Sequence, residues 1–95
     1  MTLLKLMKRR EVSNMLKKQY FIIYIKDNNL MEACEIDVER YNYFSYIFDC
    51  VYHTKNGDAY PLDNDSERGI HILVTDGEHF HELLDDLKAQ GFCDF

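Results

Sequence analysis

Residues 69–91 read GIHILVTDGEHFHELLDDLKAQG, and the two halves of this stretch follow different periodicities. Residues 69–75 are β-branched and apolar, which predicts a strand. In the second half Phe80, Leu83, Leu84 and Leu87 recur at i, i+3, i+4 and i+7, the stripe of an amphipathic helix. Asp76 stands where an N-cap belongs and Gly91 where a C-terminal cap belongs. A strand feeding an amphipathic helix needs a sheet to cover, and the rest of the chain is read as a source of partner strands.

Residues 20–26, YFIIYIK, are the next clear strand, closed by the turn residues Asp27, Asn28 and Asn29. They are apolar on both faces and belong in the interior of a sheet. Residues 30–36, LMEACEI, fit a second strand paired through that turn. Simple alternation puts Leu30, Glu32, Cys34 and Ile36 on one side and Met31, Ala33 and Glu35 on the other. Leu, Met, Glu and Ala also favour helix, so this strand rests on the turn rather than on propensity.

Asp37 is placed to cap a helix, with Glu39 in its first turn. Phe44, Ile47, Phe48 and Val51 make a helical stripe. The same region is dense in β-formers, and Lys55-Asn56-Gly57-Asp58 is a good hairpin turn, so 41–54 stays open between helix and strand. Residues 55–69 hold Gly57, Pro61 and Gly69 among six further turn-forming or acidic residues and read mostly as loop. Phe92, Cys93 and Phe95 are expected to pack back as a short edge strand or ordered tail. The fold class expected is α+β: a small single-domain sheet of about three to four strands packed by two helices in the order β-β-α-β-α, with an extra N-terminal helix as an option.

A chain of 95 residues supports one core, and 46% hydrophobic with 29% charged residues is a globular composition. No apolar run approaches the roughly 20 residues that cross a bilayer, and the cluster Lys8, Arg9, Arg10 follows rather than precedes the apolar N-terminal residues, unlike a secretion signal. Cys34, Cys50 and Cys93 are odd in number and widely spaced. They suggest a reducing cytoplasm, the host's if the gene belongs to a phage, and buried structural thiols rather than nucleophiles.

Charge is divided along the chain. Residues 1–18 carry six basic side chains and one acidic, a net +5, and residues 19–95 carry five basic and sixteen acidic, a net −11. Residues 1–14 are read as a basic N-terminal extension and 15–95 as a single acidic α+β domain. One account of the extension is an upstream start: Arg10-Glu11-Val12 can be encoded by a sequence containing GGAGGT, a ribosome-binding element, shortly before the codon of Met15. The other is an amphipathic helix using Leu3, Leu4, Met7 and Met15.

Chemistry-bearing clusters are few. His79, Glu82 and Asp86 share a helical face and are the metal-site alternative, but HExxH and CxxC are absent and a solvated polar face explains the same residues. Asp63, Asp65 and Glu67 alternate like calcium-loop ligands, yet Arg68 and Val74 stand where the loop needs Gly and Glu. His71 alternates with Ile70 and Ile72 and is expected on the Leu73 and Thr75 side, at a surface or interface. No catalytic residue and no cofactor is assigned. Seven Tyr beside an acidic surface suit a protein interface. The partner-binding set is Tyr43, Tyr60, Asp58, Asp63, Asp65, Glu67, Glu78, Glu82, Asp85 and Asp86.

The function expected is a small acidic protein-binding regulator or inhibitor of phage or mobile-element type, docking on a basic partner surface and imitating nucleic acid in its charge. Nucleic acid itself and membranes are not expected partners, because phosphate binding runs on Lys and Arg. The alternatives are a small metal-binding protein or enzyme on the His79 face, and a homo-oligomeric structural or small-ligand-sensing domain that uses the first strand or the aromatic helix as its interface.

Overall fold

The computed structural model describes residues 18–94; the expected extension 1–14, the helix through Leu3, Leu4, Met7 and Met15, and Phe95 lie outside them. Five strands and two helices follow in the order β1 (Tyr20–Lys26), β2 (Asn29–Ile36), α1 (Val38–Ile47), β3 (Cys50–His53), β4 (Ala59–Asp65), β5 (Ile70–Asp76) and α2 (Phe80–Ala89). The strands form one antiparallel sheet in the order β2-β1-β5-β4-β3. The α+β class is as expected. The strand count and element order are corrected, because 41–54 is neither all helix nor all strand and 55–69 holds a strand, β4, between its two turns.

Two local causes account for the correction. α1 starts as read, with the Asp37 carboxylate accepting from the Arg40 N–H at 2.8 Å. It ends at Ile47, and β3 begins at Cys50. The stripe through Phe44, Ile47, Phe48 and Val51 therefore breaks: Phe44 and Phe48 are half-buried, whereas Ile47 and Val51 are exposed. In β4 the Pro and Asp residues that suggest a loop sit on the outward side, while Tyr60 and Leu62 alternate inward and are buried. Pairing with β5 begins at Leu62, which leaves Pro61 outside that ladder, facing Val51 of β3. Lys55-Asn56-Gly57-Asp58 lies in the connection between β3 and β4, the hairpin reading of that stretch.

β1 lies between β2 and β5, so its interior position holds, while β5 takes the middle of the sheet. The β1–β2 turn has Asp27 and Asn28 at φ 52° and 65°, the left-handed pair that a tight hairpin requires. Register shifts after Tyr24, which faces Glu32, while Ile25 faces Leu30, so Met31 is the unpaired bulge residue. That bulge overturns the simple alternation: Leu30 and Ala33, read on opposite faces, both pack against the core. At the next turn Gly69 adopts φ +70°, and a Cβ there would fall against the Asp27 carboxylate.

The core lies between the sheet and α2. Ile23, Ile25, Tyr52, Tyr60, Leu62 and Leu73 from the sheet meet Leu83 and Leu87 of the helix, with Phe80 and Leu84 at its border. Phe80 stacks on Phe21 at 4.4 Å between ring centroids. The α2 stripe is thus as read, but its start is corrected: the N-cap position is His79, and Asp76 closes β5. At the other end Gly91, at φ +72°, donates to the Lys88 carbonyl and Phe92 to that of Leu87, a Schellman motif. The tail then returns as expected, with Cys93 buried and Asp94 bridged in parallel to Asn29.

The opposite face of the sheet is covered by α1, which crosses β1 and β5 on its way from one edge strand to the other. The Tyr41 ring meets that of Tyr20 at 4.3 Å in a tilted contact, yet no residue of α1 is buried. Of the thiols, Cys93 is buried and Cys34 half-buried, but Cys50 is exposed, contrary to expectation. His71 does lie on the Leu73 side, but it is covered by Phe92 at 4.6 Å rather than left at a surface.

Leu83→Ala removes a fully buried side chain from the α2–sheet contact and is expected to cost about 2–5 kcal/mol. Leu84→Ala, at the half-buried border, is expected to cost distinctly less, and guanidinium titration of the two variants checks the order.

Candidate functional site

The β3–β4 turn and the outer side of α2 face each other across a recess of about 350 Å³. Asp58 stands just before β4, Tyr60 is the second residue of that strand, and Glu82, Asp85 and Asp86 project from α2. Asp58, Glu82 and Asp85 are exposed; Tyr60 is 8% exposed and lies at the base. Lys55 is the one cation lining the recess among the described residues.

Asp86 holds this recess together. The Tyr52 hydroxyl donates to its Oδ2 at 2.7 Å and the Lys55 N–H to its Oδ1 at 3.0 Å. The Gln90 amide donates to the same carboxylate and, at 2.8 Å, to the Tyr52 oxygen. One carboxylate thereby ties α2 to β3 and to the turn that follows it. Partial burial pushes the Asp86 pKa up, but the Tyr52, Lys55 and Gln90 donors outweigh it and hold the carboxyl below its ordinary value. Tyr52 moves the other way, raised first by burial and then by the bond to Asp86, so its phenol stays protonated and donating.

A second link closes the α2 N-terminus. Asp76 Oδ1 accepts from the His79 N–H at 3.0 Å and from His79 Nδ1 at 2.8 Å. A carboxylate can only accept here, so Nδ1 carries the hydrogen. The hydrogen bond and charge of Asp76 raise the His79 pKa, with smaller pushes from Glu82 and Asp58 against a small desolvation penalty. The His79 ring stands 6.4 Å from that of Tyr60. Burial raises the Tyr60 pKa first, followed by the charges of Asp58, Asp76, Glu82 and Asp86. The whole neighbourhood favours positive charge and a neutral phenol.

Of the residues read from sequence as partner-binding, Asp58, Tyr60, Glu82, Asp85 and Asp86 meet at the recess. Glu78 is exposed in the β5–α2 connection. Asp63 and Asp65 lie further along β4, and Glu67 is in the β4–β5 turn. Asp65 is engaged with Arg68, through its N–H at 3.3 Å and its Nε at 3.6 Å. Tyr43 is on α1, on the other side of the sheet. His79, Glu82 and Asp86 do not form a ligand set: both Asp86 oxygens are taken, and among the described residues no group of three His, Cys, Asp or Glu is placed to hold a metal ion. Tyr52 belongs to the tyrosine cluster 41–60 that the sequence shows, but nothing there pairs it with Asp86, and Gln90 is part of no sequence motif. The i, i+4 spacing of Asp86 and Gln90 was the available signal for half of that network.

No family model, curated protein or solved structure matches this chain.

A group with a depressed folded-state pKa contributes stability above its unfolded value and loses it as pH falls through the folded value. Asp86 is such a group. Tyr52→Phe is expected to cost about 1 kcal/mol at neutral pH and to raise the Asp86 pKa toward the ordinary carboxylate range. Thermal melts across pH should show the wild-type advantage shrinking in acid, and an NMR titration of the Asp86 carboxyl gives the pKa directly.

Proposed function

We propose that this chain is a non-enzymatic, protein-binding regulator or inhibitor that seats a basic side chain of its partner in the recess between the β3–β4 turn and α2. One observation carries the reading: Asp58, Glu82 and Asp85 rim a concave site whose fourth carboxylate, Asp86, is fixed by three donors over an aromatic base. An arginine or lysine entering it meets carboxylates held by secondary structure, so less side-chain ordering opposes binding than on a flat surface. A partner surface that ordinarily engages an anion, nucleic acid included, has the matching charge. The net −11 of residues 19–95 adds long-range attraction, which accelerates encounter and makes it salt-sensitive. The metal or enzyme alternative lacks this support, since among the described residues His79, Glu82 and Asp86 are not gathered into a group that could hold a metal ion.

An immobilised arginine-rich peptide serves as a probe in surface-plasmon kinetics. Glu82→Lys with Asp85→Lys is expected to slow association by about an order of magnitude. Asp63→Lys with Glu67→Lys makes the same change in net charge away from the recess and should have a clearly smaller effect. Equal losses from the two pairs would reduce the recess to general electrostatics, and no loss from the first pair would reject it.

A further inference from the structure

α1, unlike α2, has no buried residue. Isolated helices of ten residues are marginal in water and depend on packing. Its inward contacts are modest: Tyr41, Phe44 and Phe48 are half-buried against the sheet, and no residue of the helix is buried. Its outward side carries large, mostly apolar side chains beyond the polar first turn. Tyr43 is 60% exposed, Tyr46 89% and Ile47 42%, and Val51 of β3, on the strand side opposite buried Tyr52 and so on the α1 face of the sheet, is 51% exposed. Tyr43, Tyr46 and Ile47 stand at i, i+3 and i+4, which makes them neighbours on one helix surface.

We infer that this patch is the interface of a two-fold dimer of this chain, with α1 packed antiparallel to α1 of the second copy. Two features favour a second copy as the occupant. The first is charge. Residues 19–95 carry net −11, but residues 38–53 contribute only the two acids Glu39 and Asp49 against Arg40, so the helix surface itself is close to neutral, and the nearest acids on that face of the sheet, Asp63 and Asp65, lie on β4. The second is the placement of Arg40. It stands in the first turn of α1, at the positive end of the helix dipole, and the last turn holds no basic residue. An antiparallel two-fold pairing carries Arg40 to the C-terminal end of the other helix, next to Asp49 of the second copy, and symmetry repeats the contact. Both mismatches are relieved at once.

The size of the patch sets the strength. From the exposures above, the four side chains offer roughly 450 Å² per copy and roughly 900 Å² in the pair, below the approximately 1,200 Å² at which specific interfaces become standard in size. The dimer is therefore weak and concentration-dependent. α1 and the acidic recess lie on opposite faces of the sheet, because Tyr20 meets α1 while Phe21 meets α2. Dimerisation leaves two recesses facing outward, and a partner with repeated basic sites would engage both. Only this last consequence rests on the function proposed above.

Sedimentation equilibrium of the full chain over a series of concentrations tests the inference. The expected result is a mass rising from monomer toward dimer, abolished by Tyr46→Glu with an unchanged melting temperature at low concentration. Arg40→Asp should weaken association, and adding Asp49→Arg should restore it. Glu82→Lys with Asp85→Lys lowers the negative charge of each copy and should not weaken dimerisation, so failure of the recess and failure of the dimer are read separately. A wild-type chain that stays monomeric at every concentration overturns the proposal. If Tyr46→Glu also lowers the melting temperature of that monomer, the patch is covered within the chain instead. Association that survives Tyr46→Glu, or a double variant that fails to recover it, likewise rejects this interface.

Discussion

The ladder between β1 and β5 is the constraint on which the rest of the structure depends. Three of the four strand pairings, β1–β2, β3–β4 and β4–β5, join neighbours in the chain and need only a turn. The fourth pairs Tyr20–Lys26 with Ile70–Asp76 and closes a loop that contains β2, α1, β3 and β4. Closing such a loop has an entropic cost that short hairpins avoid, and the compensation lies in what the ladder brings together. It sets Ile23 opposite Leu73, and on this platform Leu83 and Leu87 are sealed from solvent. With α2 seated there, Asp86 reaches Tyr52 and the turn after β3, and the recess takes its shape.

The elements on either side of that ladder were legible for a physical reason. YFIIYIK and GIHILVT are apolar on both faces because both strands are flanked and covered, and the α2 stripe is unbroken because all four of its apolar residues meet the sheet. Legibility fails where environment outweighs local pattern. α1 stops at Ile47 even though Phe48 and Val51 extend its apolar periodicity, and no residue type at 48–50 announces the change to β3. β4 is hidden by Pro61, Asp63, Asn64 and Asp65, yet Tyr60 and Leu62 keep the period of two that its buried side demands. Met31 is a third case, since a bulge has no signature in residue type here and still resets which side of β2 meets the core.

The site divides the same way. That α2 has an acidic outer side follows from its periodicity, so Glu82, Asp85 and Asp86 were grouped from sequence alone. Their difference in role was not, because it depends on Tyr52, thirty-four positions away from Asp86, and on a backbone N–H that only the β3–β4 turn presents. Asp58 and Tyr60 join the same recess through that turn, whereas Asp63, Asp65 and Glu67, equally acidic, are carried away from it along β4. Spacing in sequence could not separate the two acidic groups.

The order of the elements also bears on how the protein is made. A nascent chain presents β1 before the other described strands, and β2 can pair with it at once, but the other edge of that apolar strand stays open until residues 70–76 have been synthesised. Even then the platform is bare until Leu83 and Leu87 follow. Core formation consequently waits for residues 70–87. During that interval the open edge of YFIIYIK is an unpaired apolar strand, and such an edge is a template for aggregation.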